Sequence, residues 1–176
     1  MAGLDLDILI EEPGWTAAVP DAEALCRSAA AAAWAQAAPA VAWPPGTLAE
    51  ACLLLASDSR VQALNRDFRG RDEPTDVLSF PAVEVDVLAA AGAEGPPPLL
   101  GDIIIALQTT LADAARDGKP AADHLRHLVV HGILHLLGHD HQHDDAAAAM
   151  EALEVQILAG LGVADPYGSL DQPCDD

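Results

Sequence analysis

His131-Gly132-Ile133-Leu134-His135-Leu136-Leu137-Gly138-His139-Asp140-His141 is the stretch around which the rest of the chain is organised. Three of its histidines, His131, His135 and His141, stand at the spacing His-x3-His-x5-His. Residues four apart on an α-helix share a face about one turn apart, so His131 and His135 can aim their imidazoles at a common point. Gly138 follows where helices are commonly ended by a left-handed residue, a conformation that costs glycine no Cβ penalty. Such an ending turns the chain back and lets His141 close a third coordination position. Three protein ligands leave the fourth site of a tetrahedral zinc open, the pattern of a catalytic rather than a structural centre.

Working outward, the stretch needs a helix to carry it, here roughly Ala121 to Leu137, followed by another from Asp144 to Leu161. His124 and His127, one turn earlier, extend the same helix face in solvent-facing or hydrogen-bonding roles, and His139 and His143 stay unassigned. Upstream, Gln108 to Asp117 reads as a helix, and the run Ile103-Ile104-Ile105 within Leu99 to Leu107 as a well-buried strand. Ala89 to Pro98, rich in Ala, Gly and Pro, reads as a flexible surface connection. Before it, Asp76 to Pro81 is a strand that Pro81 ends or confines to an edge. Arg69-Gly70-Arg71-Asp72-Glu73-Pro74-Thr75 is a polar loop.

In the first third, Leu4 to Ile10 alternates as a half-buried strand does, and Asp21 is placed to cap a helix through the alanines toward Pro39. Trp43-Pro44-Pro45-Gly46 is a turn and Ala51 to Ala56 a buried strand. One of Ser57, Asp58 and Ser59 caps a short helix in which Val61, Leu64 and Phe68 fall at i, i+3 and i+7. Strands in the first two-thirds and helices in the last third predict an α+β fold, a small mixed β-sheet covered by helices. A single domain over residues 1–176 is expected, with a loose acidic tail over about 163–176.

Composition narrows the function classes. Cys26, Cys52 and Cys174 are odd in number and show no CxxC spacing, so neither a disulfide framework nor a cysteine metal site is expected. The N-terminus lacks the basic-then-apolar pattern of a secretory leader, and a reducing, cytoplasmic setting fits both observations. The longest apolar tract, Ala29 to Trp43, falls short of the roughly 20 residues of a membrane span. A net charge of −20 repels nucleic acid and anionic lipid at long range. Position counts for more than the sum, because Arg60, Arg66, Arg69 and Arg71 gather half of the 8 basic residues in one short window, as a local anion site requires.

Four separated motifs occur in order: Asn65-x-x-Phe68-Arg69, Pro74-Thr75-Asp76-Val77-Leu78-Ser79-Phe80-Pro81, Gly101-Asp102-Ile103 and the histidine stretch. Together they resemble the YbeY family of bacterial rRNA maturation factors, zinc-dependent single-strand endoribonucleases, from about Asn65 to Tyr167. The resemblance implies an α+β fold and one Zn2+ ion held by His131, His135 and His141, with Arg69 as the functionally required arginine. It also implies ribosomal RNA as substrate, including 3′-end processing of the small-subunit RNA, and a role in ribosome quality control. The implied partners are the ribosome or its small subunit and a ribosomal protein or ribosome-associated GTPase. The family usually carries tyrosine between Gly138 and Asp140, where this chain has His139.

Individual residues fit that chemistry. Arg69 offers a planar fork of donors for a phosphate, or forms an ion pair with one of the many carboxylates. Asp140 can fix the tautomer of a ligand imidazole or simply end the helix. Thr75 and Asp76 line a cleft or cap their loop. Gly101-Asp102 at a strand entrance is read as structural. Two other classes compete. Metzincin peptidases share His-x3-His-x2-Gly-x2-His but place a glutamate base after the first histidine, where this chain has Gly132, which accepts no proton. A ribosome-binding assembly factor with a mainly structural zinc is the non-enzymatic alternative.

Overall fold

The structure, a computed structural model, describes residues 1–91 and 95–168. Four strands form one sheet: β1 (Gly3–Ile10), β2 (Leu48–Ala56), β3 (Val77–Pro81) and β4 (Leu99–Ala106), in the spatial order β1-β2-β4-β3. β1 pairs parallel with β2 and β2 with β4, whereas β3 pairs antiparallel with β4, so the sheet is mixed as the sequence predicted. β3 occupies the edge, where Pro81 costs no ladder bond needed by a further strand.

Among the described residues there are seven α-helices: α1 (Gly14–Ala18), α2 (Ala22–Ala37), α3 (Asp58–Arg69), α4 (Val85–Ala90), α5 (Leu107–Arg116), α6 (Ala121–Leu136) and α7 (Asp144–Gly160). Parallel strands need long crossovers, and α2 makes the one between β1 and β2. The alanines of α2 lie against α6: Ala29, Ala30 and Ala33 are buried, and their small side chains allow two helix backbones to approach closely over the sheet. α6 is the central helix of this layer. Its Leu125, Val129, Ile133 and Leu136 are wholly buried with Leu53, Leu55, Ile103 and Ile105 of the sheet. Gly132 marks the closest approach, for a Cβ there would come within 2.8 Å of Ile103 Cδ1.

Several boundaries differ from the sequence reading. α1 was not predicted; it is held by Trp15, which is fully buried and donates Nε1–H to the Ala56 carbonyl at 2.9 Å. α4, also not predicted, precedes the expected surface connection and takes in its first two residues, Ala89 and Ala90; residues 92–94 of that connection lie outside the described residues. Asp21 stands at the N-cap of α2 without a side-chain capping bond, whereas Ser57 caps α3 by accepting from Arg60 N at 3.3 Å. Phe68, placed by periodicity on the apolar face of α3, does lie over the sheet, its ring 5.6 Å from that of Phe80, but is 70% exposed. The expected tail begins with packed residues: Val163 is buried in the core, and residues 169–176 lie outside the described residues.

Candidate metal centre

His124, His127, His131 and His135 follow one another at helical spacings of three and four, forming a stripe along α6 between its buried face and solvent. Their neighbouring rings are 6.2, 6.3 and 4.5 Å apart, centroid to centroid. α6 ends one residue beyond His135, and Gly138 then takes φ +94°, the left-handed turn expected there. The turn swings His141 back, so that its ring lies 5.0 Å from that of His135 and stacks on that of His131 at 5.8 Å. One ring nitrogen from each of His131, His135 and His141 then lies within 4.8 Å of the other two.

The protonation pattern suits a cation. His131 Nδ1 faces the Glu154 carboxylate at 2.6 Å. An ionised carboxylate only accepts, so Nδ1 carries the proton and His131 Nε2 presents a lone pair toward His135 Nε2, 3.0 Å away. Two imidazole nitrogens that close, with a third ring beside them, form a nitrogen donor set of the kind that zinc binds. Burial and the adjacent His131 and His141 rings lower the His135 pKa to about 4, which keeps that ring neutral. These residues therefore fit a divalent metal.

Glu154 was missed by the sequence reading. It sits on α7 in the buried row with Met150, Ile157 and Leu158, and is itself fully buried. Besides His131 it receives His127 Nε2 at 3.1 Å and the Tyr167 hydroxyl. Burial pushes its carboxyl up, but these hydrogen bonds outweigh burial and bring it down to about 2. The signal available in the sequence was an acid placed in an otherwise apolar i, i+3, i+4 row, where a charge persists only when its hydrogen bonds are supplied. Asp140 does not take this part; its Oδ1 accepts from Gln142 N at 3.2 Å, ordering the loop that carries His141.

The histidine cluster opens onto a cleft of about 440 Å³ whose opposite wall carries Arg69, Thr75, Asp76 and Ser79. Arg69 closes α3. Its Nη2 donates to the Ser79 carbonyl at 3.1 Å, and its guanidinium lies 5.5 Å from the Phe80 ring centroid. Arg60 pairs with Glu11, and Arg66 with Asp67 and Asp72, but Arg69 joins no ion pair among the described residues and faces the cleft with donors to spare. Asp76 Oδ1 caps β3 by accepting from Val77 N at 2.7 Å, so the residue both lines the cleft and caps its loop. Gly101, at φ +140°, lies against the Phe80 carbonyl where no Cβ has room, a structural role as expected.

Comparisons with known proteins show what the chain is similar to. The family model described as Endoribonuclease YbeY matches residues 21–162. A relative named Endoribonuclease YbeY from Paramagnetospirillum magneticum is 50% identical over 165 residues, 94% of this chain and 96% of its own length. Another of that name from Parvibaculum lavamentivorans is 44% identical over 175 residues, 98% of this chain and 89% of its own. The solution structure of TM1509 from Thermotoga maritima is similar with a TM-score of 0.54 at 22% identity, covering 94% of this chain and 100% of that one. At that identity the likeness concerns the fold alone.

Proposed function

Because this chain belongs to the YbeY endoribonuclease family, we propose that it is a zinc-dependent endoribonuclease that cuts single-stranded regions of ribosomal RNA during rRNA maturation, including the small-subunit 3′ end, and in ribosome quality control. The observation that carries the reading is the meeting of two unlike groups across one cleft: three imidazoles on one wall and the unpaired fork of Arg69 on the other. His131, His135 and His141 would hold the zinc. A zinc bound there supplies Lewis-acid polarisation of a phosphoryl oxygen and lowers the pKa of water.

The remaining work falls to the chain's own residues. Arg69, anchored through one nitrogen to the Ser79 carbonyl, keeps other N–H groups for a phosphate and stays charged at any working pH. Glu154 holds the His131 ring by its Nδ1–H, fixing which nitrogen faces the cleft. Arg69 is the cation that lines this cleft, so the approach of a phosphate is favoured locally despite the net charge of −20. With so negative a surface elsewhere, we assign the affinity for long RNA to the context of the ribosome and its small-subunit proteins or an associated GTPase.

The peptidase alternative meets a steric obstacle. The position of its glutamate base is Gly132, whose missing Cβ is pressed against Ile103 on the buried side of α6. The test is cleavage of a labelled single-stranded RNA by the purified, zinc-loaded protein beside an identically prepared His135→Ala variant. Cutting by the wild type alone supports the reading. Equal behaviour of both preparations overturns an intrinsic nuclease and favours the assembly-factor role.

A further inference from the structure

Away from the three-histidine cluster, Asp76, Asp113 and His124 converge from three different elements, with one ligand atom of each within 4.8 Å of the other two. Asp76 leads into β3, Asp113 lies on α5 and His124 in the first turn of α6. Residues that far apart in sequence meet here only because the fold packs the two helices beside the sheet edge. Two carboxylates and one imidazole make a mixed donor set, harder than the three-histidine cluster and suited to a cation that accepts both oxygen and nitrogen.

A second observation concerns the histidine of this cluster. Nε2 of His124 is sealed from solvent and has no hydrogen-bond partner among the described residues. Buried polar atoms are nearly always satisfied, and an orphan of this kind marks a position where a ligand supplies the missing contact. The carboxylates have capacity left. Asp76 Oδ1 accepts from Val77 N at 2.7 Å and from Thr75 Oγ1 at 3.3 Å, and Asp113 Oδ1 accepts from Arg116 Nη1 at 3.0 Å. The second oxygen of each takes no hydrogen bond among the described residues. Arg116 is the counter-charge already paired with one Asp113 oxygen, and Lys119 donates to the Pro166 carbonyl at 2.8 Å. Burial and the neighbouring His127 hold His124 below the ordinary histidine pKa, leaving a neutral ring with a lone pair to give.

We propose that Asp76, Asp113 and His124 form a second divalent-cation site, distinct from the three-histidine cluster, that takes an ion of the Mn2+ class. The ion would tie the start of β3 to α5 and α6. Asp76 also lines the cleft, so occupation would hold the Thr75-Asp76 wall opposite the histidines. The proposal does not depend on the reaction assigned above.

The experiment titrates Mn2+ into protein already carrying one equivalent of zinc, reading free Mn2+ by electron paramagnetic resonance in ~0.1 M salt, which screens diffuse attraction to the acidic surface. Wild type is expected to bind one further equivalent. Asp113→Asn and His124→Gln should weaken it about tenfold or more, the loss usual when one ligand of a small site is removed. His135→Ala, altered in the other cluster, should still bind it. Absence of any Mn2+ binding beyond the zinc overturns the proposal, as does binding that Asp113→Asn leaves unchanged. If His124→Gln misfolds by circular dichroism, paramagnetic broadening of the His124 ring resonances in the wild type decides: broadening supports the site and sharp resonances overturn it.

Discussion

Glu154 and His131 face each other across the packing of α7 on α6, carboxylate Oε1 to imidazole Nδ1 at 2.6 Å, with the carboxylate fully buried. The contact joins the helix that carries the histidines to one whose own residues include none of the three. It makes the orientation of one ring a property of the core rather than of the cleft.

Glu154→Gln should therefore fold yet weaken zinc binding roughly 10- to 100-fold, the usual consequence of losing a carboxylate behind a ligand histidine. Competition against a chelating dye measures it. Unchanged affinity would show that His131 needs no such support. Glu154→Ala should also lower stability, because His127, His131 and the Tyr167 hydroxyl lose their common partner and each unsatisfied group costs about 1–3 kcal/mol.

Arg69→Lys retains the charge but not the fork. If the phosphate is held by two parallel donors, activity toward RNA should fall by about 10- to 100-fold, corresponding to ~1.5–3 kcal/mol for a hydrogen bond to a charged group. Arg69→Ala should lose at least as much, with zinc content unaltered. Full activity of the lysine variant would reduce Arg69 to a diffuse charge.

Gly132→Ala tests the approach of α6 to the sheet. The added methyl meets Ile103 within 2.8 Å, an overpacking that typically costs about 1–3 kcal/mol. For a chain of this size that lowers the melting temperature by roughly 2–12 °C. Gly132→Ala combined with Ile103→Val should recover part of the loss, which calorimetry resolves.

Cys26 supplies a pH dependence whose sign can be worked out. Burial, and secondarily Glu23, push its thiol up to about 12 from its ordinary value of 9.0. The folded chain thus holds this proton where the unfolded chain releases it. Its contribution is complete below pH 9 and is lost progressively as the pH rises from 9 toward 12. Cys26→Ala should flatten the decline of stability over that window, measured by urea unfolding. In native protein the thiol should resist alkylation at pH 8, since only the thiolate reacts, and should react once unfolded.

Much of this was legible in the sequence, and the exceptions have physical reasons. The Ile103-Ile104-Ile105 run and the Leu4 to Ile10 alternation announced β4 and β1 because their burial repeats along the strand. The spacing of His131, His135 and His141 fixed their convergence because a helix and one left-handed glycine determine it locally. Trp15 hid α1, for five residues have no periodicity of their own and the helix exists through a contact with distant Ala56. Phe68 matched the apolar row of α3, and its ring does meet Phe80 on the sheet, yet it lies at the outer surface of that face with most of its area in solvent. Glu154 could be recognised only by taking the core row of α7 as certain and asking why it contains an acid. Asp140, nearer in sequence, was the more obvious candidate, but its loop turns its carboxylate to its own backbone.

The three histidines differ in how firmly they are mounted. His131 and His135 project from a helix packed against both α2 and the sheet, whereas His141 is exposed on the short segment joining α6 to α7. On the proposed ligand set, that asymmetry is kinetic. Two anchored nitrogens form a waiting jaw, and the third is a latch that can swing without disturbing the core. Metal exchange should then proceed at the rate of loop motion rather than of global unfolding, so the protein can trade ions with its surroundings during its working life.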